Sequence, residues 1–264
     1  MTALSKLKYF IATIVFLVIC VLLTAFQASI DTNVPGLTIV LNFTYAALFV
    51  CAFLFGGIVT GVSSILGICL YILLKNQSAW LALLGLVVGL VFGIITKLTT
   101  YLIDKKKIDQ RALLISSGAF FIAIGIIFTA IKIIYPNDYY ILKNTTTFIR
   151  FHWIQFVLPY IIGVAFILAA IFLNKMKENI KQMFIISGFV STSAIVVYGI
   201  TCVLCSIKKS LTFSMILARA YNTYFQSFLV SISLGLIIAM VIYSIGTVIL
   251  EVRRTIKNMV KDAE

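Results

Sequence analysis

Apolar residues in this chain gather in long runs, and polar residues are confined to the short stretches between them. Eight runs of 18 residues or more stand out, at about 9–26, 37–55, 57–74, 79–103, 112–134, 152–173, 182–206 and 226–250. Each is long enough for a helix to cross a hydrocarbon core of about 30 Å. The pattern is not the alternating one of a membrane β-barrel, whose strands need only about 10 residues. It predicts an all-α, polytopic membrane helical bundle of about eight transmembrane helices. The stretch Leu41–Leu74, "LNFTYAALFVCAFLFGGIVTGVSSILGICLYILL", carries no charge at all. As one helix it would reach roughly 50 Å, well beyond the membrane. The chain is therefore expected to turn back inside it, and Gly56-Gly57 is the only punctuation.

Composition agrees with this reading: 62% of residues are hydrophobic, 11% are charged, and the mean hydropathy is +1.15. The net charge of +13 suggests nucleic acid at first sight. The basic residues, however, lie almost entirely between the apolar runs, where they set topology and meet anionic headgroups. With the N-terminus inside, thirteen fall on inner segments: Lys6, Lys8, Lys105–Lys107, Arg111, Lys175, Lys177, Lys181, Arg253, Arg254, Lys257 and Lys261. Five fall on outer ones: Lys75, Lys143, Lys208, Lys209 and Arg219. The asymmetry predicts a multi-pass cell-membrane protein with both termini cytoplasmic, a lipid bilayer as its surroundings and no nucleic-acid partner. Tyr9–Ala25 follows Lys6 and Lys8 like a signal peptide but lacks a convincing cleavage site, so it reads as a retained helix. Cys202 and Cys205 have CxxC-like spacing; with no second pair or histidine nearby they read as packing residues.

Several polar groups sit at expected helix entrances. Asn42, Thr44 and Tyr45 open the second span, and they suit either an interhelical hydrogen bond or one wall of a ligand pocket. Arg150, His152, Trp153 and Gln155 open the sixth, in "FIRFHWIQFVLPY". Charge, stacking surface and amide at one entrance suit a ligand, while Trp and Arg also serve as interfacial anchors. Gln155 lies one turn deeper, where an unpaired amide is costly, so it is expected to face protein or a cavity. Gly85, Gly89 and Gly93 form GxxxGxxxG on the fourth span, and Gly57, Gly61 and Ser64 form a small face on the third. Such faces let backbones approach closely, either within the chain or as a docking face for a partner.

The eight acids (Asp31, Asp104, Asp109, Asp138, Glu178, Glu251, Asp262, Glu264) all lie in loops or tails. Ion-coupled carriers usually need an intramembrane acid, and membrane metalloenzymes need acids or several histidines. There is no phosphate-binding GxxxxGK[ST] motif and no HExxH. A binding protein powered or read out by another subunit is expected, rather than an enzyme, with neither cofactor nor metal.

The uncharged stretch from Leu41 resembles the second and third helices of the S components of energy-coupling factor (ECF) transporters, in which a polar start leads into a glycine turn and a small-residue helix. The order of parts is similar too. The span "WLALLGLVVGLVFGIITKLTTYL" enters the basic loop "DKKKIDQR", and the next ends in the aromatic loop "YPNDYYILKN". The likeness covers roughly residues 6–177. It implies a six-helix membrane core at 1–177, with 178–264 adding two helices and a short basic tail. It also implies a subunit that captures a vitamin-like small molecule from outside, partnered by a transmembrane coupling subunit and ATPase subunits. Asn42, Thr44, Tyr45, Asn76, Gln77, Arg150, His152, Trp153 and Gln155 would then line the substrate pocket. The runner-up is the membrane sensor domain of a signalling protein, which shares glycine hairpins of this kind.

Overall fold

A computed structural model describes residues 3–31, 38–75, 79–105, 109–134, 139–141, 148–150, 153–207, 216, 220–221 and 225–263. Among them run α1 (Ala3–Ala25), β1 (Ala28–Asp31), β2 (Thr38–Leu41), α2 (Thr44–Lys75), α3 (Ala79–Asp104) and α4 (Gln110–Ile134). There follow β3 (Tyr139–Ile141), β4 (Phe148–Arg150), α5 (Ile154–Phe172), α6 (Glu178–Ser206) and α7 (Gln226–Ala263). All seven helices are long and apolar enough to cross a membrane. Helices satisfy their own backbone hydrogen bonds, the condition for burial in lipid.

The uncharged stretch does turn back. Gly56, at φ 76° and ψ −174°, interrupts α2 in a region of backbone space that is essentially glycine's alone. Contacts with α1 run in opposite directions on its two sides. Thr44 meets Thr24, and Cys51 packs in one cluster with Phe16 and Ala12. After the turn, Ser63 Oγ donates to Thr13 O, and Gly67 lies against Cys20. The arms differ in length. Residues 44–55 make about 18 Å of helix at 1.5 Å per residue, well short of a full crossing.

This corrects the expected second span at 37–55. Its first residues, "TIVL", form β2 instead, antiparallel to β1 with Ala28 opposite Leu41 and Asp31 opposite Thr38. β-Branched residues favour extended backbone. The Asn42 Oδ1 accepts from the Thr44 amide at 3.0 Å, so the helix starts only after it. A second hairpin, β3–β4, joins α4 to α5. Neither hairpin was expected. Both lie at one end of the bundle, here the strand end; Lys6, Asp104, Arg111, Lys177 and Glu251 lie at the other.

Two antiparallel helix pairs cross on glycines. In the first, Gly57 and Gly61 of α2 face Gly89 and Gly93 of α3. A Cβ on Gly93 would fall 2.7 Å from the Gly61 Cα, and one on Gly57 would fall 2.6 Å from the Lys97 amide. In the second, Gly118 of α4 faces Gly163 of α5, where a Cβ on either would meet the other's carbonyl oxygen at 2.9 Å. The two pairs are joined chiefly through α6, which packs on both α3 and α4, and α7, which packs on both α2 and α5. A continuous core runs through all of them, with Phe49, Phe92, Phe121, Phe166, Leu229 and Ile232 fully buried. Residues 178–264, expected as two helices beside a six-helix core at 1–177, share that core: α6 and α7 pack between the two pairs. At the far end an ion pair between Lys177 and Glu251 ties the α5–α6 connection to α7.

Candidate functional site at the strand end

β2 is fastened to α7 by two serines one helical turn apart. Val40 N donates to Ser227 Oγ at 3.2 Å, Ser231 Oγ donates to Val40 O at 3.1 Å, and Asn42 N donates to Ser231 Oγ at 3.0 Å. The strand's free edge thus finds partners on a helix instead of a third strand, which settles the polar groups an edge would otherwise expose. Behind it, Thr24 Oγ1 donates to Cys20 O at 2.7 Å. A hydroxyl has one proton, so in the 2.8 Å contact between Thr24 and Thr44 it is Thr44 that donates.

Beneath this hairpin lies a cavity of about 280 Å³. Thr24, Gln27, Val40 and Asn42 line it from α1 and the hairpin, and Tyr45, Ile68, Tyr71 and Ile72 from the two arms of α2. Leu84, Gly85 and Val88 of α3, Tyr198 of α6, and Ser227, Phe228 and Ser231 of α7 complete it. The Tyr198 and Phe228 rings stack at 3.7 Å and 13°, and Tyr45 meets Phe228 edge-on at 5.2 Å. Ring faces and edges are thereby fixed in one corner. The Gln27 amide, the Asn42 Nδ2 and the Tyr45 and Tyr71 hydroxyls take no hydrogen-bond partner among the described residues. Among the described residues no charged side chain lines the cavity. Concave, largely apolar space with a few convergent polar groups is the usual form of a small-molecule site.

A second polar group sits between α5 and α7. Gln155 and Gln226 are 0% and 2% exposed. Gln155 Nε2 donates to Gln226 Oε1 at 2.9 Å, and the Tyr221 hydroxyl donates to Gln155 Oε1 at 3.1 Å. Gln155 therefore faces protein, as its depth implied, but it does not line the cavity.

The other sequence candidates divide. Asn42 and Tyr45 line the cavity, whereas Thr44 is set behind it in its bond to Thr24. Trp153 is 58% exposed at the start of α5 and suits the interfacial anchor reading. Arg150 pairs with Tyr139 through the β3–β4 register. Asn76, Gln77 and His152 lie outside the described residues. Gly57, Gly61, Gly89 and Gly93 are consumed by the α2–α3 crossing, so that face is occupied within the chain and not offered for docking; Gly85 instead borders the cavity. Thr24, Gln27, Tyr71, Tyr198, Ser227 and Ser231 were missed. Ser227 and Ser231, spaced by four in "QSFLVSIS", were legible as one polar face of an apolar helix.

On the opposite half of the bundle a shallower groove of about 780 Å³ runs between α3, α4 and α6. Ser116 and Thr192 line it, but their hydroxyls turn back onto Leu113 O at 2.9 Å and Gly188 O at 2.8 Å. Comparison with protein-family models, with curated proteins and with solved structures finds no match for this chain.

Proposed function

We propose that this protein is a membrane-embedded binding subunit that takes up a small molecule in the strand-end cavity, in the manner of an ECF-type S component, for a vitamin-like micronutrient. The observation that carries the reading is the cavity itself: the half-buried Asn42 amide and the Tyr45 and Tyr71 hydroxyls converge there on an otherwise largely apolar lining, with hydrogen-bonding capacity that no described residue takes up. Polar groups within a membrane protein are costly and tend to mark function. The excess of basic residues at the other end supports an outward-facing strand end by the positive-inside rule, with the β1–β2 hairpin over the entrance. Import would be driven by separate coupling and ATPase subunits. One feature supports a sensor instead: α7 continues as helix from its span's end at Arg253 to Ala263, a geometry suited to passing a signal onward.

The test is native mass spectrometry of the protein released from lipid nanodiscs, with Ile72→Trp as a variant that fills the cavity. A vitamin-sized adduct on the wild type, missing from a folded Ile72→Trp, is the expected result. Equal adducts on both would remove the cavity from the proposal. With an adduct secured, uptake of that compound by cells, lost when ATP is depleted, separates an importer subunit from a sensor.

A further inference from the structure

Resting on the reading of the strand-end cavity as a ligand site, we infer that its ligand is an uncharged, planar ring compound of one or two fused rings carrying both hydrogen-bond donors and acceptors. Three features of the lining lead there. The first is charge. Among the described residues no Lys, Arg, Asp, Glu or His lines the cavity, and the polar members are amides and hydroxyls. An ion moved into such a site would lose its hydration with no opposite charge to replace it.

The second feature is shape. The Tyr198–Phe228 stack and the edge-on Tyr45 form an aromatic corner, against which a flat ring gains offset or edge contacts that a puckered one does not. Ile72, Leu84 and Val88 supply apolar surface for the rest of such a ring. The third is size and polarity. An apolar cavity of about 150 Å³ accommodates one benzene ring; at about 280 Å³ this cavity holds up to two. Gln27 offers an amide donor and acceptor, Asn42 a donor, and Tyr45 and Tyr71 hydroxyls that serve as either. None of these four groups is spent on a partner among the described residues. A hydrocarbon would leave them unpaired, so the ligand must itself carry polar edges.

Benzamide, benzoate and benzamidinium share a ring and differ in charge; cyclohexanecarboxamide keeps the amide and loses the planarity. Each is titrated to millimolar concentration against the full chain in nanodiscs by ligand-observed NMR, with folded Ile72→Trp as the blocked control. Benzamide should bind the wild type and fail to bind Ile72→Trp, with both ions about tenfold or more weaker, as expected where a charge meets no counter-charge. Cyclohexanecarboxamide should bind several-fold more weakly than benzamide. Tyr71→Phe, which leaves the ring in place, should weaken benzamide several-fold without altering the melting temperature. If benzoate or benzamidinium binds as well as benzamide and Ile72→Trp blocks it, the cavity remains a ligand site and the uncharged-ligand inference is overturned. If cyclohexanecarboxamide matches benzamide there, the planar-ring part is overturned. If no compound binds, or Ile72→Trp binds them all equally, both the inference and the binding-site reading fall.

Discussion

Two polar groups lie near the strand end, one buried and one half-open, and they are built on opposite plans. Between α5 and α7, Gln155, Gln226 and Tyr221 satisfy one another and are sealed by apolar neighbours. Beneath the β1–β2 hairpin, Gln27, Asn42, Tyr45 and Tyr71 surround open space, with donors and acceptors left over. The first arrangement holds helices together, because breaking any one bond strands an amide in a place water does not reach. The second keeps hydrogen-bonding capacity in reserve, which a fold tolerates only where something else supplies the missing partners. Residue type alone does not separate them: both contain glutamine and tyrosine. The difference lies in whether the facing helices close on one another or are held apart. Here they are held apart by the half-length first arm of α2 and by β2 clipped to α7.

This contrast can be broken at its supports. Gly93→Leu carries the largest expected effect. Its side chain would drive into the Gly61 backbone and part α2 from α3, the wall of the cavity, at a cost of about 3 kcal/mol. The buried free thiols of Cys20, Cys51 and Cys202 give a direct readout, since a thiol-reactive dye labels them only as the bundle melts. Gln155→Leu should cost about 2 kcal/mol by taking a hydrogen-bond partner from both Gln226 and Tyr221. Adding Gln226→Leu should restore part of that loss, and a double variant no better than the single would refute mutual satisfaction. Gly56→Ala tests the reversal. No atom stands within 4 Å of its Cβ position, so any loss is backbone strain alone, roughly 1–2 kcal/mol. An unchanged melting temperature would mean the turn does not need its positive φ. At the small end, Tyr71→Phe should shift stability by less than about 0.5 kcal/mol. If it instead destabilises as Gln155→Leu does, the cavity hydroxyls are structural and the two sites are of one kind.

Much of this architecture was legible along the chain. Long uncharged runs force helices in a membrane, and a 34-residue run forces a reversal, which falls at Gly56 as the sequence implied. Gln155 is an amide set too deep in a span to be left unpaired, and it is paired. The β-hairpins were not legible, because "TIVL" adjoins an apolar run and reads as its continuation; only the backbone pairing of Thr38–Leu41 with Ala28–Asp31 marks it as strand. The glycine motif was legible as a close-packing face, but not whose helix it meets. GxxxG specifies small side chains, and the same pattern serves an internal crossing or an external one.

The sequence by itself determined that this is a multi-span helical membrane protein, where its charges gather, and where its longest apolar run must fold back. Those properties follow from the cost of exposing backbone and charge to lipid, and that cost is set locally, residue by residue. The tertiary structure alone decided that α6 and α7 join two glycine-crossed pairs into one body. It also decided that Thr24, Tyr71, Tyr198 and Ser231, up to 207 residues apart, surround one cavity while Gln155, only two residues from the exposed Trp153, belongs to another cluster. Such juxtapositions depend on which helix faces which, and that is settled by side-chain packing between segments distant in the chain.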